Sequence, residues 1–415
     1  MTTRRVVVTG MGAVSPLGNG QNVLWEGVRE GRSGIAPIEA FDTTDYAVHF
    51  AGEAGDFDPL QHFTKREARR VDRFTQFAVA ASDEAIAQSG IKDAGCEPEK
   101  VGAYIGTGIG GLLEIEAQHT RLMNSGPRRV SPLMIPKLMT NAAAGMVSIR
   151  NGFKGPSFSV SSACASGSNA IGEAFNSIRL GTVDVQVCGG AEAAVTPMGL
   201  SGFSQAKALS KRNDEPEKAS RPFDRDRDGF VMAEGAAVLV MESLEHARAR
   251  GAEILAEMIG YSGSSDAYHM TLPCEEGTGA QKAMEDALQV AGIDGEEISY
   301  INAHGTSTTA GDDIEAQAIA RVFENHAREL AISSSKSMFG HLLGASGALE
   351  SIVCIRSITE DICPPTINLE NPDPACGELN FVPNTAQERP VKAVMNNSFG
   401  FGGHNVALVF RNFNG

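Results

Sequence analysis

The sequence predicts an α/β fold in two related halves, and three observations support this. Its 415 residues include 46 glycines and a single tryptophan, and 42% are hydrophobic, a composition typical of a chain rich in small residues and tight turns. Runs of β-branched residues that end in Gly or Ser lead into amphipathic stretches throughout, as strands lead into helices in α/β proteins. The length also exceeds what one hydrophobic core usually supports, so we expect at least two structural units.

Eight apolar, β-branched runs are predicted strands, four in each half. Two stretches of the second half carry apolar residues at roughly helical spacing, and Gly292 is a plausible stop for the first of them. The expected strands cover residues 5–9, 101–106, 158–162, 183–187, 254–259, 298–302, 330–334 and 391–395, and the expected helices cover residues 281–291 and 313–323.

Two pairs of segments indicate an internal duplication. AYIGTGIGG after Gly102 and SYINAHGTST after Ile298 are both strands that run into a small-residue loop. SVSSACASGSNAIG at 159–172 and ISSSKSMFGHLLGASG at 332–347 both pass from a serine-rich strand to a small-residue helix start. Duplication is a common way to extend a core. We therefore expect an N-terminal half of residues 1–251 and a C-terminal half of residues 252–415.

Composition argues against several classes of protein. The formal net charge of −16 makes general attraction to nucleic acid or to an anionic membrane unfavourable. Seven scattered cysteines without a CxxC pair speak against a disulfide framework and a zinc site. The apolar stretches fall far short of the ~18 residues of a membrane span, and MTTRRVVVTG lacks the apolar core of a secretory signal. We expect a cytoplasmic protein that binds neither nucleic acid nor membrane.

Cys164 lies where a small-residue strand at 159–162 is expected to meet a helix at 165–180. Backbone N–H groups at a helix N-terminus lack partners and carry partial positive charge, so they stabilise a thiolate and lower its pKa. The small neighbours also leave room for a thioester to approach. The alternative is that Cys164 is one more buried small hydrophobic residue.

The segment SSACASGSNAIG around Cys164 closely resembles the active-site segment of β-ketoacyl synthases, the elongating condensing enzymes of the thiolase superfamily. The resemblance extends over essentially the whole chain, because further blocks look like family motifs in family order. These blocks are VTGMGAVSPLG at 8–18, ASRPFDRDRDGFVMAEGA at 219–236, NAHGTSTTAGD at 302–312, KSMFGHLLGASGALE at 336–350 and NNSFGFGGHN at 396–405.

The resemblance implies a duplicated thiolase-like fold with five αβαβα layers. It also implies a two-step reaction in which Cys164 first takes an acyl group from a thioester. His304 and His341, each at the end of an expected strand beside small residues, would then donate N–H bonds to the oxygen of a malonyl thioester as it loses CO2. The resulting enolate attacks the acyl group and extends it by two carbons.

Other site residues follow from the same resemblance. The backbone N–H groups of Cys164 and Phe401 would form the oxyanion hole. Lys336 resembles the lysine that organises the site electrostatically, paired with Glu350. The alternative for this pair is a structural buried ion pair that does not act in the chemistry.

The pattern of one cysteine and two histidines narrows the subfamily. Initiating synthases resemble a Cys–His–Asn arrangement, and degradative thiolases use a second cysteine near the C-terminus, whereas NNSFGFGGHN has none. Chain-length-factor proteins lack the nucleophile. Type II polyketide ketosynthases share Cys–His–His and remain the alternative, although the short free-standing chain with HGTST favours fatty acid biosynthesis.

The substrates are expected on acyl carrier protein, a strongly acidic partner, through a phosphopantetheine arm. An acidic enzyme must therefore carry local basic patches, and by position in the family their members are Lys65, Arg69, Arg129 and Lys207. The alternative is that these are ordinary solvated side chains. The resemblance further implies a homodimer and no metal or organic cofactor apart from the phosphopantetheine of the substrate.

The remaining assignments concern the substrate channel. Thr306 and Thr308 would bind the pantetheine arm, and Ile109 would lie near the acyl tunnel, with core packing as its alternative role. Phe399 and Phe401 would be apolar panels of a moving gate whose joints are the three glycines of FGFGG. The alternative is a rigid turn whose glycines allow close approach to Cys164. Two departures from the family pattern, Phe339 and Leu272, leave the preferred acyl length open.

Overall fold

The computed structural model describes residues 3–414. Its strands are β1 (Val6–Ser15), β2 (Gly18–Asn19), β3 (Ala36–Pro37), β4 (Phe50–Ala51), β5 (Val101–Gly106), β6 (Ser157–Phe158), β7 (Val185–Glu192), β8 (Gly235–Ser243), β9 (Ala256–Ser265), β10 (Ile298–Asn302), β11 (Ala331–Ser333), β12 (Ile362–Cys363), β13 (Gln387–Glu388), β14 (Ala393–Gly400) and β15 (His404–Arg411).

The α-helices of the same residues are α1 (Gln21–Glu30), α2 (Lys65–Ala68), α3 (Arg73–Ser89), α4 (Leu112–Ser125), α5 (Met134–Leu138), α6 (Ala142–Asn151), α7 (Ser166–Arg179), α8 (Pro197–Gln205), α9 (Leu244–Ala249), α10 (Thr278–Ala291), α11 (Asp312–Phe323), α12 (Lys336–Phe339) and α13 (Ser346–Glu360). Short 3-10 turns connect several of them.

The two halves of the chain repeat one strand order. Along the main sheet the strands follow β11-β10-β14-β15-β9 and then β1-β8-β7-β5-β6. When the five strands of each half are numbered in chain order, both halves follow the same sequence from the outer edge of the sheet inward: third, second, fourth, fifth and first. The directions match as well, because the three strands nearest each edge are parallel and the other two pairings are antiparallel.

The two sets of strands meet only at Val6–Val8 of β1 and Ala256–Met258 of β9, so the sheet separates into two layers with helices between them. Helices α7 and α13 pack against each other and against strands of both halves. Helices α3 and α6 cover the outer face of the first half, and α10 and α11 cover the outer face of the second. The order is helix, sheet, helix, sheet, helix, as the five-layer prediction requires.

Burial explains why several strands read as continuous apolar runs. Every residue of β1, β7 and β8 is buried, because helices cover both faces of these strands. Such runs lack the alternation that marks a half-exposed strand and resemble buried helix segments. The sequence analysis accordingly missed β8 and β15, while β5 and β10 have the predicted bounds.

The predicted strand at 158–162 is wrong beyond its first residue. Only Ser157 and Phe158 pair with β5, and the following residues bend toward the Cys164 turn. The Ser159 hydroxyl donates to the carbonyl oxygen of Ile105 at 2.8 Å. The Ser159 side chain thus bonds a carbonyl oxygen that would otherwise accept a backbone N–H of the neighbouring strand. Serine commonly ends regular structure in this way.

The helix termini follow the expected chemistry. Gly292 closes α10 in the left-handed conformation at φ 67°, which glycine adopts without steric cost. Within residues 3–414 none of the helices combines the length and apolar character needed to cross a bilayer.

Candidate active site

Cys164 sits in a tight elbow immediately before α7. Ala163 adopts a positive φ of 50°, a conformation that costs energy for a residue with a side chain and is often found at functional sites. Ser166 holds the turn, because its hydroxyl accepts from the Ser162 N–H at 3.0 Å and donates to the Ala163 carbonyl at 2.6 Å. The strained turn projects the thiol toward the loop after β14.

The electrostatics of the thiol differ from expectation. Burial raises the pKa of Cys164 to about 12, against the opposing effects of the Lys336 charge and of hydrogen bonds from the backbone N–H groups of Phe401 and Cys164. The predicted lowering of the pKa is therefore wrong for the free enzyme, since desolvation of the sulfur outweighs every favourable contact. The backbone N–H groups of Phe401 and Cys164, which lower the pKa of the thiol, are also the predicted oxyanion-hole donors.

His304 and His341 face each other beside Cys164. Their ring centroids are 5.4 Å apart with an interplanar angle of 84°. Burial, followed by the positive charge of Lys336, holds the pKa of both imidazoles well below the usual range. Both rings are therefore neutral, as the proposed role of N–H donors to a developing enolate requires.

Lys336 and Glu350 form the predicted ion pair, Nζ to Oε1, in the interior behind the histidines. Both side chains are buried. The Lys336 charge acts on Cys164, His304 and His341 alike, lowering the pKa of each. The lysine thus lies close enough to influence all three candidate catalytic groups, which a remote structural pair could not do.

The loop of residues 399–403 approaches the elbow from the opposite side. A Cβ at Gly400 would lie 2.7 Å from the Ser162 carbonyl oxygen and 3.1 Å from the Cys164 nitrogen, so only glycine permits this contact. Gly402 has a φ of 89°, which a β-branched residue would strain. Gly400 is thus required for the close approach of this loop to the Cys164 turn. The neighbouring Phe401 is 37% exposed.

One pocket connects the surface with the reacting groups. Its lining includes Cys164, His304, His341, Thr306, Thr308, Phe399, Phe401 and Lys207. The two threonine hydroxyls are hydrogen-bonded at 3.0 Å, and Leu272 lies at the same channel wall. The structure therefore brings most of the predicted channel residues together with the nucleophile.

Besides the buried pair of Lys336 and Glu350, four predicted residues lie outside the pocket lining. Ile109 packs against the same hydrophobic cluster as Cys164, on the inner side. Lys65 begins α2 and Arg69 follows it, while Arg129 ends the 3-10 turn after α4. These three basic side chains are exposed, as docking residues must be.

Three positioning residues escaped the sequence analysis. The Glu315 carboxylate accepts the backbone N–H groups of His304 and Gly305, each at 2.8 Å. Ser346 bonds Nδ1 of His341 at 2.8 Å. Glu192 accepts backbone N–H bonds from Ile109 at 3.2 Å and from Gly344 at 3.0 Å. No local pattern marks these side chains, because each acts on a segment far away or on a turn whose shape the sequence leaves open.

Comparison with known proteins agrees with this geometry. The family model of the β-ketoacyl synthase N-terminal domain matches residues 3–247, and that of the C-terminal domain matches residues 255–370. A relative from Synechocystis, 3-oxoacyl-[acyl-carrier-protein] synthase 2, is 51% identical over 99% of this chain and 98% of its own length. Enzymes of the same name from Coxiella burnetii and Staphylococcus aureus are each 49% identical over 99% of both chains.

Solved structures share the whole fold. A β-ketoacyl synthase from Burkholderia phymatum superposes with a TM-score of 0.93 at 37% identity, over 99% of this chain and 100% of that one. A type II polyketide ketosynthase, solved with its acyl carrier protein, superposes with a TM-score of 0.92 at 33% identity over the same shares. With its thiolase-like architecture and its Cys–His–His pocket, the chain belongs to the β-ketoacyl synthase family.

Proposed function

We propose that this pocket carries out the condensation of a 3-oxoacyl-[acyl-carrier-protein] synthase, with Cys164 as the nucleophile. The chain is an acyltransferase of fatty acid biosynthesis that extends an acyl thioester by two carbons with release of CO2. The observation that carries the assignment of roles is the convergence of Cys164, His304 and His341 on one pocket lining.

In the first half-reaction the Cys164 sulfur attacks the carbonyl of an acyl thioester. The tetrahedral oxyanion is held by the N–H groups of Cys164 and Phe401, which also lower the pKa of the Cys164 thiol. Collapse expels the carrier thiol and leaves the acyl group on Cys164. Because burial keeps the resting thiol protonated, its proton leaves during the attack and ends on the departing carrier sulfur.

In the second half-reaction a malonyl thioester loses CO2, and the electrons of the broken bond move onto the thioester oxygen. Neutral His304 and His341 donate N–H bonds to that oxygen. This role requires the proton of the His341 ring on Nε2, and Nδ1 then accepts from the Ser346 hydroxyl, 2.8 Å away. The enolate carbon then attacks the acyl carbonyl and forms the new C–C bond. The C–S bond to Cys164 breaks, and the sulfur leaves as a thiolate that takes a proton from solvent.

Lys336 acts electrostatically on this reaction, with Glu350 as its counter-ion. The support is that its charge lowers the pKa of both imidazoles and so keeps them neutral. It also opposes the desolvation of Cys164. The buried ion pair is structural as well, because either partner alone would leave an uncompensated charge in the interior.

Acyl carrier protein is the partner, and the phosphopantetheine arm that it carries enters the pocket past Lys207 and the Thr306 and Thr308 hydroxyls. The acidic carrier is attracted by Lys65, Arg69 and Arg129, which are exposed although the whole chain is acidic. The acyl chain extends toward Ile109. The reaction requires no cofactor beyond the arm itself.

The fatty-acid type is favoured over the polyketide type by the relatives. Those at about half identity over the full length share the name 3-oxoacyl-[acyl-carrier-protein] synthase 2, whereas the polyketide ketosynthase superposes at 33% identity. A cytoplasmic location fits this pathway.

A homodimer is proposed on the edge of the first half. Strand β6 ends the sheet there with an unpaired edge, and its Phe158 is 41% exposed. The adjacent helix α6 exposes 77% of Ile149. An unprotected edge beside apolar surface is suited to pairing with another copy. We also propose the division of the chain into halves at residues 251 and 252, between α9 and β9.

The function is tested by assaying the purified enzyme with acyl and malonyl carrier substrates, and in parallel with 3-oxoacyl-CoA plus CoA. A condensing enzyme forms 3-oxoacyl carrier product and CO2 from the first pair. Thiolytic cleavage of the second pair without condensation of the first would identify a degradative thiolase and overturn the proposal.

A further inference from the structure

A second cluster of reactive side chains lies outside the condensing pocket. Cys96, in the connection between α3 and β5, places its sulfur 3.4 Å from Nε2 of His246 on α9. Nδ1 of the same imidazole lies 2.6 Å from the Glu242 carboxylate at the end of β8. Three separate elements thus assemble a thiol, an imidazole and a carboxylate in line.

The carboxylate is fixed and ionised. Glu242 is fully buried, and it accepts hydrogen bonds from Thr9 and from the Arg250 guanidinium as well as from His246. The bonds from Arg250, His246 and Thr9 outweigh its burial and lower its pKa to about 2. A carboxylate that is ionised at neutral pH can only accept hydrogen bonds.

The ionised Glu242 carboxylate determines which nitrogen of the His246 ring carries a proton. Because Glu242 only accepts, Nδ1 of His246 carries a hydrogen, so in the neutral tautomer of the ring Nε2 presents a lone pair to Cys96. The thiol can therefore donate to Nε2. The carbonyl oxygen of Ile91, 3.6 Å from the same sulfur, is a second acceptor for this one S–H proton.

The thiol is also accessible. Cys96 is partly exposed, between Gly95 and Glu97, which are both exposed. Cys188, Cys354, Cys363 and Cys376 are buried. Burial raises the pKa of Cys96, with the Glu242 charge adding to the effect, so the resting sulfur is a neutral thiol that needs a proton acceptor beside it.

We propose that Cys96, His246 and Glu242 form a modification site at which Cys96 exchanges with small disulfides such as oxidised glutathione. The sulfur of Cys96 attacks one sulfur of the disulfide, a new S–S bond forms, and the original S–S bond breaks. The Cys96 proton passes to Nε2 of His246 and from there to the departing thiolate. Cys96 is oxidised to a mixed disulfide, and one small thiol is released.

Cys274 provides an internal control for this proposal. It is also partly exposed, and its only side-chain contact with a polar group in residues 3–414 is the Thr278 hydroxyl at 3.9 Å. It therefore reports the reactivity of an accessible thiol without a neighbouring base. Dividing the rate of Cys96 modification by the rate of Cys274 modification corrects for differences in reagent and pH.

The full-length enzyme is incubated with oxidised glutathione at neutral pH, and acid-quenched samples are mapped by mass spectrometry. We expect the ratio of the Cys96 rate to the Cys274 rate to be higher in the native enzyme than in the urea-unfolded chain. We expect His246→Gln to lower the Cys96 rate by at least about tenfold while the Cys274 rate stays unchanged.

Cys96→Ser should retain condensation activity, because the site is separate from the pocket. An unchanged Cys96 rate in His246→Gln would overturn the proposal, and so would a native ratio no higher than the unfolded one. If His246→Gln lowers the melting temperature enough to unfold the enzyme, the comparison of native and unfolded wild-type enzyme still decides the question.

Discussion

The imidazole rings of His304 and His341 stand almost perpendicular to each other, with centroids 5.4 Å apart. They come from two segments of the C-terminal half, one after β10 and one after α12. The edge of the Phe230 ring lies against His341, at 5.3 Å between centroids. Two neutral donors are thereby held within reach of a single substrate oxygen in an apolar surround, where hydrogen bonds to a developing charge are strong.

His341→Ala should separate the two half-reactions. Loss of one N–H donor is expected to slow malonyl decarboxylation by about 10²- to 10³-fold, while Cys164 still accepts an acyl group. CO2 release and intact mass of the acyl-enzyme measure the two steps. The exposed His119 offers a matched control, since His119→Ala should change neither. If acylation is lost as completely as decarboxylation, the division of roles is wrong.

The pH dependence of decarboxylation should report Glu315 rather than the histidines. Burial raises the pKa of this carboxyl to about 7, so it gains a proton as the pH falls through neutrality. It then becomes a poorer acceptor for the His304 and Gly305 N–H groups. The histidines, whose pKa is lowered, stay neutral over the same interval.

We therefore expect decarboxylation to decline below about pH 7. Glu315→Gln cannot titrate, so its lower rate should no longer depend on pH in this interval. Rates of CO2 release at constant ionic strength decide the point. An acid decline that persists unchanged in Glu315→Gln would assign the titration to another group.

Much of the fold follows from local sequence, and the exceptions have physical causes. Strands β5 and β10 have the predicted bounds because their apolar runs end at small residues. Strands β8 and β15 were missed because central strands show no alternation. The segment at 159–162 leaves the ladder because a serine hydroxyl takes the place of a backbone donor.

The site was predictable where function depends on a motif and less so where it depends on packing. Cys164, His304 and His341 lie in blocks with a family resemblance. The raised pKa of Cys164 is a property of its burial, which no single residue type indicates. Glu315 reaches His304 from the next helix, so its role depends on the register of α11 against β10.

Charge reversal at the docking residues should weaken binding of the carrier selectively. Lys65→Glu with Arg69→Glu is expected to raise the KM for carrier-bound substrates, while acyl-CoA analogues react almost normally. Added salt should reduce the difference, because it screens exposed charges. Lys92→Glu, at an exposed lysine of another segment, is the matched control. Equal loss with both kinds of substrate would indicate damage to the fold.

The gate hypothesis for residues 399–403 is best tested at Phe401. Val at position 402 would be strained in the observed backbone, where φ is 89°, so Gly402→Val cannot distinguish a gate from a rigid turn. Phe401→Ala keeps the backbone N–H and removes only the apolar panel. A gate predicts that this variant releases CO2 from malonyl carrier without a matching yield of condensed product.

A rigid turn predicts instead that Phe401→Ala retains the ratio of CO2 to product while both rates change together. The ratio is measured with and without the acyl substrate, and the melting temperature shows whether the fold is intact. A ratio that stays at one CO2 for each product would count against the gate.

The central claim is that Cys164 carries the acyl group between the two half-reactions. Intact mass and peptide mapping after incubation with an acyl carrier substrate test it directly. The account predicts a single adduct on Cys164 in the wild-type enzyme, and neither adduct nor condensation in Cys164→Ala, with Cys96→Ser, outside the pocket lining, as the matched control that retains both. An acyl adduct on Cys188, Cys274 or Cys354, or condensation by Cys164→Ala, would contradict it.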